Sequence, residues 1–424
     1  MDCHDDPILR DADDLAIARY ADELAAAIAP SARRYDESGE FAHEHFELLR
    51  ARGALALTIP KELGGRGLSL YQLLLFQERL AQGSGSTALA LGWHLMVLGY
   101  LGFDLKWPRA VYERLCRDIV RDGDLINVLI TERGAGNLLR GAKPTTVARR
   151  TATGYSITGR KAFCSAAPAL DQMILYAYVE DEDRVGEFLL PRSDRVRVIE
   201  NWNVIGMRST GSHDIEFDQV PVPREALLGY VDPGCPSSFT TGSRAFGLQI
   251  SAVYLGIAGA ARDFALDFAD HHQASSLGVS LLDVPQVQHK LGEIELLLTA
   301  SRTQLYGLAE RWERNKAARH RLGSEVAVAK HVVTHNAIRV VELAMAVVGG
   351  HALSRDLPLE RYFRDVQCGL HNPPQDDMVL STLAQAVITA QRARGTAAAA
   401  LCTFEDPPAQ PEPHIPTQPA LDPA

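Results

Sequence analysis

The spacing of apolar residues changes twice along this chain, and that change restricts its fold more than any single motif. Up to about residue 125, apolar side chains recur at helical intervals, as in LAIARYADELAAAIAPSARRY and YQLLLFQERLAQ. The chain then continues in short runs rich in β-branched and aromatic residues, such as GYSITGRKAF, QMILYAYV, GEFLLP and DIEFDQVPVP. Helical spacing returns near Ser237, in LQISAVYLGIAGAARDFALDFADHH and two further long segments.

This order of helices, strands and helices predicts an α+β protein. We expect an N-terminal helical domain at 1–125, a middle β-barrel or β-sandwich domain at 126–235, and a C-terminal four-helix bundle at 236–402. The strand DIEFDQVPVP should end at its prolines, which cannot donate to a ladder. The segment 403–424 is rich in proline and polar residues, which predicts disorder.

Composition excludes several functional classes. The net charge of −10 argues against nucleic acid as a partner, because a phosphate-binding face needs excess Lys and Arg. The apolar run STALALGWHLMVLGYLGF contains a histidine and several small residues, so we interpret it as a buried helix and predict no membrane partner. The acidic start has no apolar core, so we expect no signal peptide there. Six cysteines lie far apart, which predicts reduced cytoplasmic thiols and no metal site.

Four segments, in order along the chain, resemble those of one enzyme family. TERGAGN (131–137) is similar to its T-E-P-G-A-G-S segment, and GRKAFCSAAPALDQMILYA to the strand pair over its cofactor. GMRSTGSHDIEFDQVPVP resembles the strand that leaves the middle domain, and GGHALSRDLPLERYFRD the C-terminal signature. The chain is thereby identified, over about residues 10–400, as a member of the acyl-CoA dehydrogenase superfamily. The resemblance implies an acyl-CoA dehydrogenase-like fold, a flavin between the middle and C-terminal domains, and a homotetramer.

The resemblance also assigns residues to the flavin. Its isoalloxazine ring would be lined by Ile130, Thr131, Gly136 and Asn137. A glycine-rich turn exposes backbone N–H groups that can hold flavin carbonyls, although the same pattern fits a plain β-turn. Phe163 would stack near the ring and Ser165 would bond its central nitrogen. The alternative is a strand in which neither residue has a special part.

The residues that usually take a proton in this family are missing. Alignment of RYFRD with the family's R-Y-x-R-D places the usual catalytic glutamate at Pro373. Some relatives carry the base on the first helix of the C-terminal domain, and that place holds Phe246. Neither side chain can accept a proton, so ordinary thioester dehydrogenation lacks its base.

Two contacts to the adenine half of FAD are also replaced. The family's R-x-x-F-G becomes HHQASSLGVS, with Ala274, Leu277 and Gly278 at the matching positions. Its Q-x-x-G-G becomes AVVGG, with Ala346 in place of the glutamine. Loss of a phosphate-binding arginine weakens dinucleotide binding. The pattern therefore favours FMN, or a flavin held mainly by its ring.

The favoured hypothesis is a flavin-dependent monooxygenase that uses O2 and acts on a small, partly apolar substrate. One branch of the superfamily receives reduced flavin from a separate reductase and pairs a serine on the flavin strand with a histidine after the R-D signature. Ser165 and His371 occupy those places, and His94 would face the substrate. An imidazole can donate or accept a proton near neutral pH, as oxygen chemistry requires. Alternatively, His371 begins a helix capped by Asn372 or Asp376, and His94 is a core histidine.

Two other functions stay open. An FAD-dependent acyl-CoA or acyl-carrier dehydrogenase would need a relocated base, either Asp376 or Asp377, or one supplied by a partner chain, with electron-transfer flavoprotein as acceptor. A non-catalytic scaffold subunit would explain the lost ligands, although the intact glycine turn argues against it.

Overall fold

The computed structural model describes residues 6–101, 107–136, 138, 141–234, 245–274 and 278–401. Residues up to Asp376 form one compact unit, and the chain from Asp377 onward forms another. Asn137, Leu277 and the tail at 403–424 lie outside the described residues. The domain boundaries given above stay predictions.

Helices occupy both ends of the described chain, as the apolar spacing predicts. They are α1 (Ala12–Ser38), α2 (His43–Ala51), α3 (Leu70–Gly83), α4 (Gly85–Leu101), α5 (Arg109–Asp122), α6 (Phe246–His271), α7 (Pro285–Arg314), α8 (Gly323–Val348), α9 (Leu359–Gln367) and α10 (Asp376–Leu401). α1 begins where the Asp11 side chain accepts the backbone N–H of Asp14, and it ends at Gly39 with φ of 74°. α3 begins with a capping box between Ser69 and Gln72.

The middle of the chain forms one eight-stranded sheet among the described residues. Its strands are β1 (Ile126–Leu129), β2 (Val147–Arg150), β3 (Gly154–Lys161), β4 (Gln172–Val179), β5 (Arg184–Pro191), β6 (Val196–Ile199), β7 (Asp214–Pro223) and β8 (Leu227–Val231). The order is β6-β7-β3-β2-β4-β5-β8, and β1 pairs with β4 in parallel. The four predicted strand segments correspond to β3, β4, β5 and β7. A small hairpin, β9 (Gln273–Ala274) with β10 (Val279–Ser280), follows α6.

β7 continues through the prolines at which it was predicted to end. Pro221 lies opposite Ser156 of β3, and Pro223 lies opposite Gly154. β6 pairs with β7 only from Asp214 to Phe217, so beyond that point β7 is an edge strand. An edge strand tolerates residues without an N–H, because the groups on its unpaired side donate no hydrogen bonds to a neighbouring strand.

The C-terminal helices pack closely because α6 is rich in small residues. α6 contacts α3, α7 and α8, and α9 contacts α8 and α6. At Gly256 of α6, an added Cβ would lie only 2.1 Å from the backbone oxygen of Glu78 on α3. The Glu78 carboxylate is buried between Arg302 and Tyr306 of α7, at 2.8 and 2.6 Å. The two helical regions of the chain therefore share one core.

α4 is a core helix, as predicted for the apolar run. Leu91, Leu95 and Leu98 are completely buried. One helical stretch, Gly323–Leu353, is long and apolar enough to cross a membrane, but half of its most apolar window is buried inside the protein. The core helix of a globular protein passes the same test, so this is weak evidence for a membrane span.

Candidate flavin and substrate site

The turn that follows β1 is fixed by a buried ion pair. Glu132 and Lys161 are both buried, and their side chains meet at 2.6 Å. The Glu132 carboxylate also accepts the backbone N–H groups of Thr145 and Thr146, at 2.5 and 3.1 Å. Lys161 also donates a hydrogen bond to the backbone oxygen of Tyr176, at 2.7 Å. Burial opposes ionisation of Glu132, but Lys161 and these donors outweigh it and lower its pKa to about 2.

This turn lies beside the end of β3. The Ala162 N–H donates to the backbone oxygen of Thr131 at 2.8 Å, so the segment 130–136 runs next to the corner at Phe163. At Gly136 an added Cβ would meet the Ala142 Cβ at 2.6 Å, which explains a glycine there. Thr131 and Gly136 are exposed and Ile130 is half-buried. The backbone of the turn is therefore open to a ligand.

The corner after β3 presents an aromatic ring to solvent. Phe163 has a φ of 56° and is 53% exposed, which is unusual for a large apolar side chain in a folded domain. The Arg133 guanidinium lies 5.2 Å from the centre of its ring. Trp202 makes an edge-on contact at 6.1 Å. The surface is thus an exposed aromatic platform beside the open turn.

Ser165 belongs to a chain of three buried hydroxyl groups, which we call the hydroxyl chain. Its Oγ lies 2.9 Å from Ser212 Oγ, which lies 2.8 Å from Thr210 Oγ1. Thr210 donates to the Met207 oxygen at 3.0 Å. A hydroxyl has a single proton, so this last bond sets the direction: Ser212 donates to Thr210, and Ser165 donates to Ser212. Ser165 consequently has only its lone pairs left to offer a ligand.

The hydroxyl chain ends at a backbone segment that is anchored to α9. The Met207 N–H donates to the Asp365 carboxylate at 2.5 Å, and Gly206 lies so close that a Cβ would be 2.3 Å from the Arg364 oxygen. Arg364 binds Asp36 of α1 at 2.6 Å and donates to the Ile205 oxygen at 2.8 Å. Burial raises the pKa of Asp365 to about 6. The RYFRD signature therefore positions the region around His371 relative to the sheet.

His371 lies just beyond this anchor. It ends the 3-10 turn Cys368–His371 and its side chain is exposed. Asn372 donates to the Tyr254 hydroxyl of α6 at 3.4 Å and to the Cys368 oxygen at 3.3 Å. Pro373, at the place of the family's glutamate, is exposed. The loop thus offers an exposed imidazole two residues before the place at which the resemblance predicts a glutamate.

The two alternative bases, Asp376 and Asp377, differ in their hydrogen bonds and exposure. The Asp376 carboxylate is bound by His331 at 2.9 Å and by His335 at 2.7 Å. Burial by itself would raise the pKa of Asp376, but these hydrogen bonds outweigh it and lower the pKa below its ordinary value. A carboxyl group with a lowered pKa is a weaker base. Asp377 is exposed and begins the second unit of the chain.

His94 contacts backbone groups with both ring nitrogens. The Ile126 N–H donates to Nδ1 at 3.1 Å, so the proton is on Nε2, which donates to the Leu55 oxygen at 2.8 Å. The ring is 1% exposed, and burial lowers its pKa to about 4. A contact between His94 and substrate stays a prediction, and it requires one of these bonds to open.

The residues present fit the ring of a flavin. The exposed ring of Phe163, the open backbone at Thr131 and Gly136, and the lone pairs of Ser165 lie around the same two strand ends. A planar ligand with apolar faces and polar edges matches that combination. On the predicted adenine side, Ala346 of α8 is exposed and cannot bind phosphate. The fit is therefore to the ring half of the cofactor.

Three residues of this region were missed in the sequence. Thr210 and Ser212 belong to RSTGS, a cluster of hydroxyl residues directly before β7, which was the available signal. Asn127 interrupts the apolar run LINVLI, and its side-chain amide donates to the backbone oxygen of Ser165 at 3.1 Å. A lone polar residue in a buried strand needs a partner. Which residue provides that partner depends on the fold, because Ser165 is distant from Asn127 in sequence.

Comparison with known proteins identifies the family. Models of the "Acyl-CoA dehydrogenase, N-terminal domain", "middle domain" and "C-terminal domain" match residues 12–102, 127–220 and 248–372. The chain is 40% identical over 371 residues to "Putative acyl-CoA dehydrogenase YdbM" of Bacillus subtilis, covering 87% of this chain and 94% of the relative.

A nitrososynthase and a dibenzothiophene monooxygenase are also similar to this chain. The chain is 29% identical to "Amino sugar nitrososynthase DnmZ" of Streptomyces peucetius, over 81% of this chain and 85% of the relative. TdsC of Paenibacillus sp. A11-2, solved with FMN and indole, superimposes with a TM-score of 0.76 at 27% identity, covering 86% of this chain and 94% of TdsC. The chain therefore belongs to the acyl-CoA dehydrogenase family, has that family's fold, and is a flavin-dependent oxidoreductase.

Proposed function

We propose that this enzyme is a monooxygenase that uses reduced flavin, most simply FMN, and O2 to oxygenate a small, partly apolar substrate. The observation that carries the proposal is the chemistry of the loop after α9. It holds an exposed imidazole at His371 and a proline at the dehydrogenase base position. The nearest acid along the chain, Asp376, is bound by two histidines. The similarity to DnmZ and to TdsC supports the same choice.

Each residue has a defined part in this proposal. Bound reduced flavin supplies the two electrons needed to activate O2. Ile130, Thr131, Gly136 and Asn137 hold the edge of the ring, and Phe163 covers part of a face. Ser165 accepts a hydrogen bond from the protonated central nitrogen of reduced flavin, because its own proton is committed to Ser212. His371 donates or holds the proton that oxygen transfer requires.

The direction of the hydroxyl chain gives a first test. Wild-type protein should bind reduced FMN more tightly than oxidised FMN, because only the reduced ring has a proton for Ser165 to accept. The Ser212→Ala variant frees the Ser165 proton for donation to the oxidised ring. We expect the preference for reduced FMN to fall about 5-fold, the value of roughly one hydrogen bond. Anaerobic titration of both redox forms measures it.

Ser209→Ala is the matched control for this titration. Ser209 is also buried and adjoins Thr210, but its side chain is not part of the hydroxyl chain. Its preference for reduced FMN should equal that of wild type. An unchanged preference in Ser212→Ala would contradict the assigned direction of the hydrogen bonds.

The alternative function is an acyl thioester dehydrogenase with FAD. The 40% identity to the YdbM protein favours it. It requires Asp376, Asp377 or a partner chain to remove the α-proton, and an electron-transfer flavoprotein to accept electrons. The monooxygenase instead requires a separate flavin reductase. For either function we propose a homotetramer in the cytoplasm. The free thiols of Cys116, Cys164 and Cys368 are consistent with that compartment.

The decisive experiment compares the two reactions on the same flavin-loaded protein. Photoreduced protein is mixed with oxygenated buffer in a stopped-flow spectrophotometer, and oxidised protein is mixed anaerobically with a series of acyl-CoA thioesters. A monooxygenase should show an absorbance phase that precedes return of the oxidised spectrum, with no bleaching by any thioester. Bleaching by a thioester and single-phase reoxidation would establish the dehydrogenase. If the protein showed neither of these responses, it would be a scaffold subunit.

A further inference from the structure

A second cluster of polar side chains, separate from the hydroxyl chain, is formed by two residues of α8 and the first residue of α10. It consists of His331, His335 and Asp376, which we call the His-His-Asp cluster. Nδ1 of His331 lies 2.9 Å from one oxygen of Asp376, and Nε2 of His335 lies 2.7 Å from the other. The three potential ligand atoms all lie within 4.8 Å of one another. We propose that this cluster is a binding site for a divalent metal ion, with Zn2+ as the best match.

The fold explains why these side chains converge. His331 and His335 are four residues apart on α8, so they lie on the same face of the helix, one turn apart. Their ring centres are 4.4 Å apart. Asp376, the last residue of the compact unit, faces both rings. Two histidines one helical turn apart with one carboxylate are a common set of ligands for zinc and related ions.

The distances suit a metal after a small adjustment. Zinc binds imidazole nitrogen and carboxylate oxygen at about 2.0–2.2 Å, which places neighbouring ligands of a tetrahedral ion roughly 3.3 Å apart. The two histidine–carboxylate contacts would lengthen by about half an ångström to reach that separation. The two histidine nitrogens, which lie within 4.8 Å of each other, would move to the same separation, and the ring protons would move to the outer nitrogens. Two neutral imidazoles and one carboxylate carry a single negative charge. A bound divalent cation would change the net charge of the site to a single positive charge, and no unpaired charge would be buried.

The cluster is also accessible. The side chains of His331, His335 and Asp376 are 33%, 44% and 31% exposed. An ion can therefore enter from solvent and keep a water molecule as fourth ligand, as metal sites with three protein ligands do. Asp376 is five residues after His371, so a bound ion would tie the loop that carries His371 to α8. The metal site nevertheless stands independently of the proposed monooxygenase activity.

The sequence did not predict this site. His331 and His335 form an H-x3-H pair, but the third ligand lies 45 and 41 residues away and becomes a neighbour only in the fold. Without a metal, the same contacts act as a hydrogen-bonded clamp. The two interpretations differ in what they predict for added zinc.

The test uses the full-length, flavin-loaded protein without a histidine tag, stripped with a chelator. Zn2+ is titrated by calorimetry, and Co2+ binding is followed by its visible absorption. We expect one ion per chain, an intense Co2+ spectrum of low-coordinate type, and a rise in the thermal midpoint with Zn2+. Asp376→Asn keeps the shape of the side chain, and we expect it to weaken Zn2+ binding about 100-fold or more, at least as much as loss of an outer contact. His335→Ala should do the same.

His289→Ala is the control, because His289 is an exposed histidine of α7 outside the cluster. It should bind Zn2+ as wild type does. Circular dichroism and flavin content establish that each variant is folded. Equal Zn2+ affinity in wild type, Asp376→Asn and His335→Ala, or no saturable binding in wild type, would overturn the proposal and leave the clamp.

Discussion

Replacement of Lys161 by methionine is expected to lower the free energy of unfolding by about 3–5 kcal/mol, because it leaves the buried Glu132 carboxylate without its cation. Lys161 has no exposed side-chain surface and Glu132 has 3%. The remaining donors, Thr145 and Thr146, hydrogen-bond the carboxylate but cannot neutralise it. Since Glu132 holds the turn that lines the predicted flavin site, the variant should also bind FMN more weakly.

Urea unfolding of wild type and variant, followed by fluorescence and circular dichroism, measures the loss. Lys143→Met is the matched control, because Lys143 pairs with Asp183 on the surface, where the side chains are 58% and 75% exposed. Solvent screens such pairs, so the control should unfold as wild type does. The double variant Lys161→Met/Glu132→Gln removes both charges and should be closer to wild type than Lys161→Met. An equal loss in the double and single variants would refute the charge argument.

The same pair fixes the sign of a pH effect. The folded-state pKa of Glu132 is lowered from 4.5 to about 2, so the unfolded state binds more protons between these values. Its contribution to stability is fully present above about pH 4.5 and is lost as the pH falls towards 2. In Lys161→Met the attraction that lowers the pKa is gone, so this part of the acid sensitivity should shrink.

The sequence predicted those parts of the fold that depend on local pattern. Short runs rich in β-branched and aromatic residues identified β3, β4, β5 and β7, and helical spacing identified the long helices on both sides of the sheet. The small residues of α6 allow it to pack closely, since a Cβ added at Gly256 would collide with the backbone of α3. The predicted end of β7 at its prolines was wrong, because the tolerance of a strand for proline depends on whether a neighbouring strand pairs there. That neighbour is set by topology, which local pattern does not contain.

The chemistry of individual side chains was less predictable for the same reason. Ser165 was singled out from its place in a motif, but the direction of its hydrogen bond depends on Ser212 and Thr210, which follow it by more than 40 residues. His94 was assigned to substrate, while in the fold both of its nitrogens contact backbone. Asp376 was considered as a base, while two histidines of α8 bind it. In each case the deciding partner is remote in sequence.

Replacement of His371 by alanine is expected to reduce oxygenated product by about 10²–10⁴-fold, the usual contribution of a positioned acid or base. This prediction rests on the proposed monooxygenase. Reduced flavin would still consume O2, because His371 is outside the turn and the corner that hold the ring. The electrons should then appear as hydrogen peroxide, so the ratio of peroxide to product rises sharply in the variant.

Steady-state assays with a flavin reductase, which measure O2 consumed, peroxide released and product formed, separate these effects. His371→Gln keeps a polar side chain of similar reach but cannot transfer a proton at neutral pH, so it should uncouple the reaction as strongly as His371→Ala. Recovery of product in His371→Gln would mean that His371 only positions the substrate. Because His371 is exposed, either change should leave the unfolding midpoint and FMN affinity unaltered. An unchanged ratio of peroxide to product in both variants would remove the imidazole from the reaction, and the proline at position 373 would then have to be explained without it.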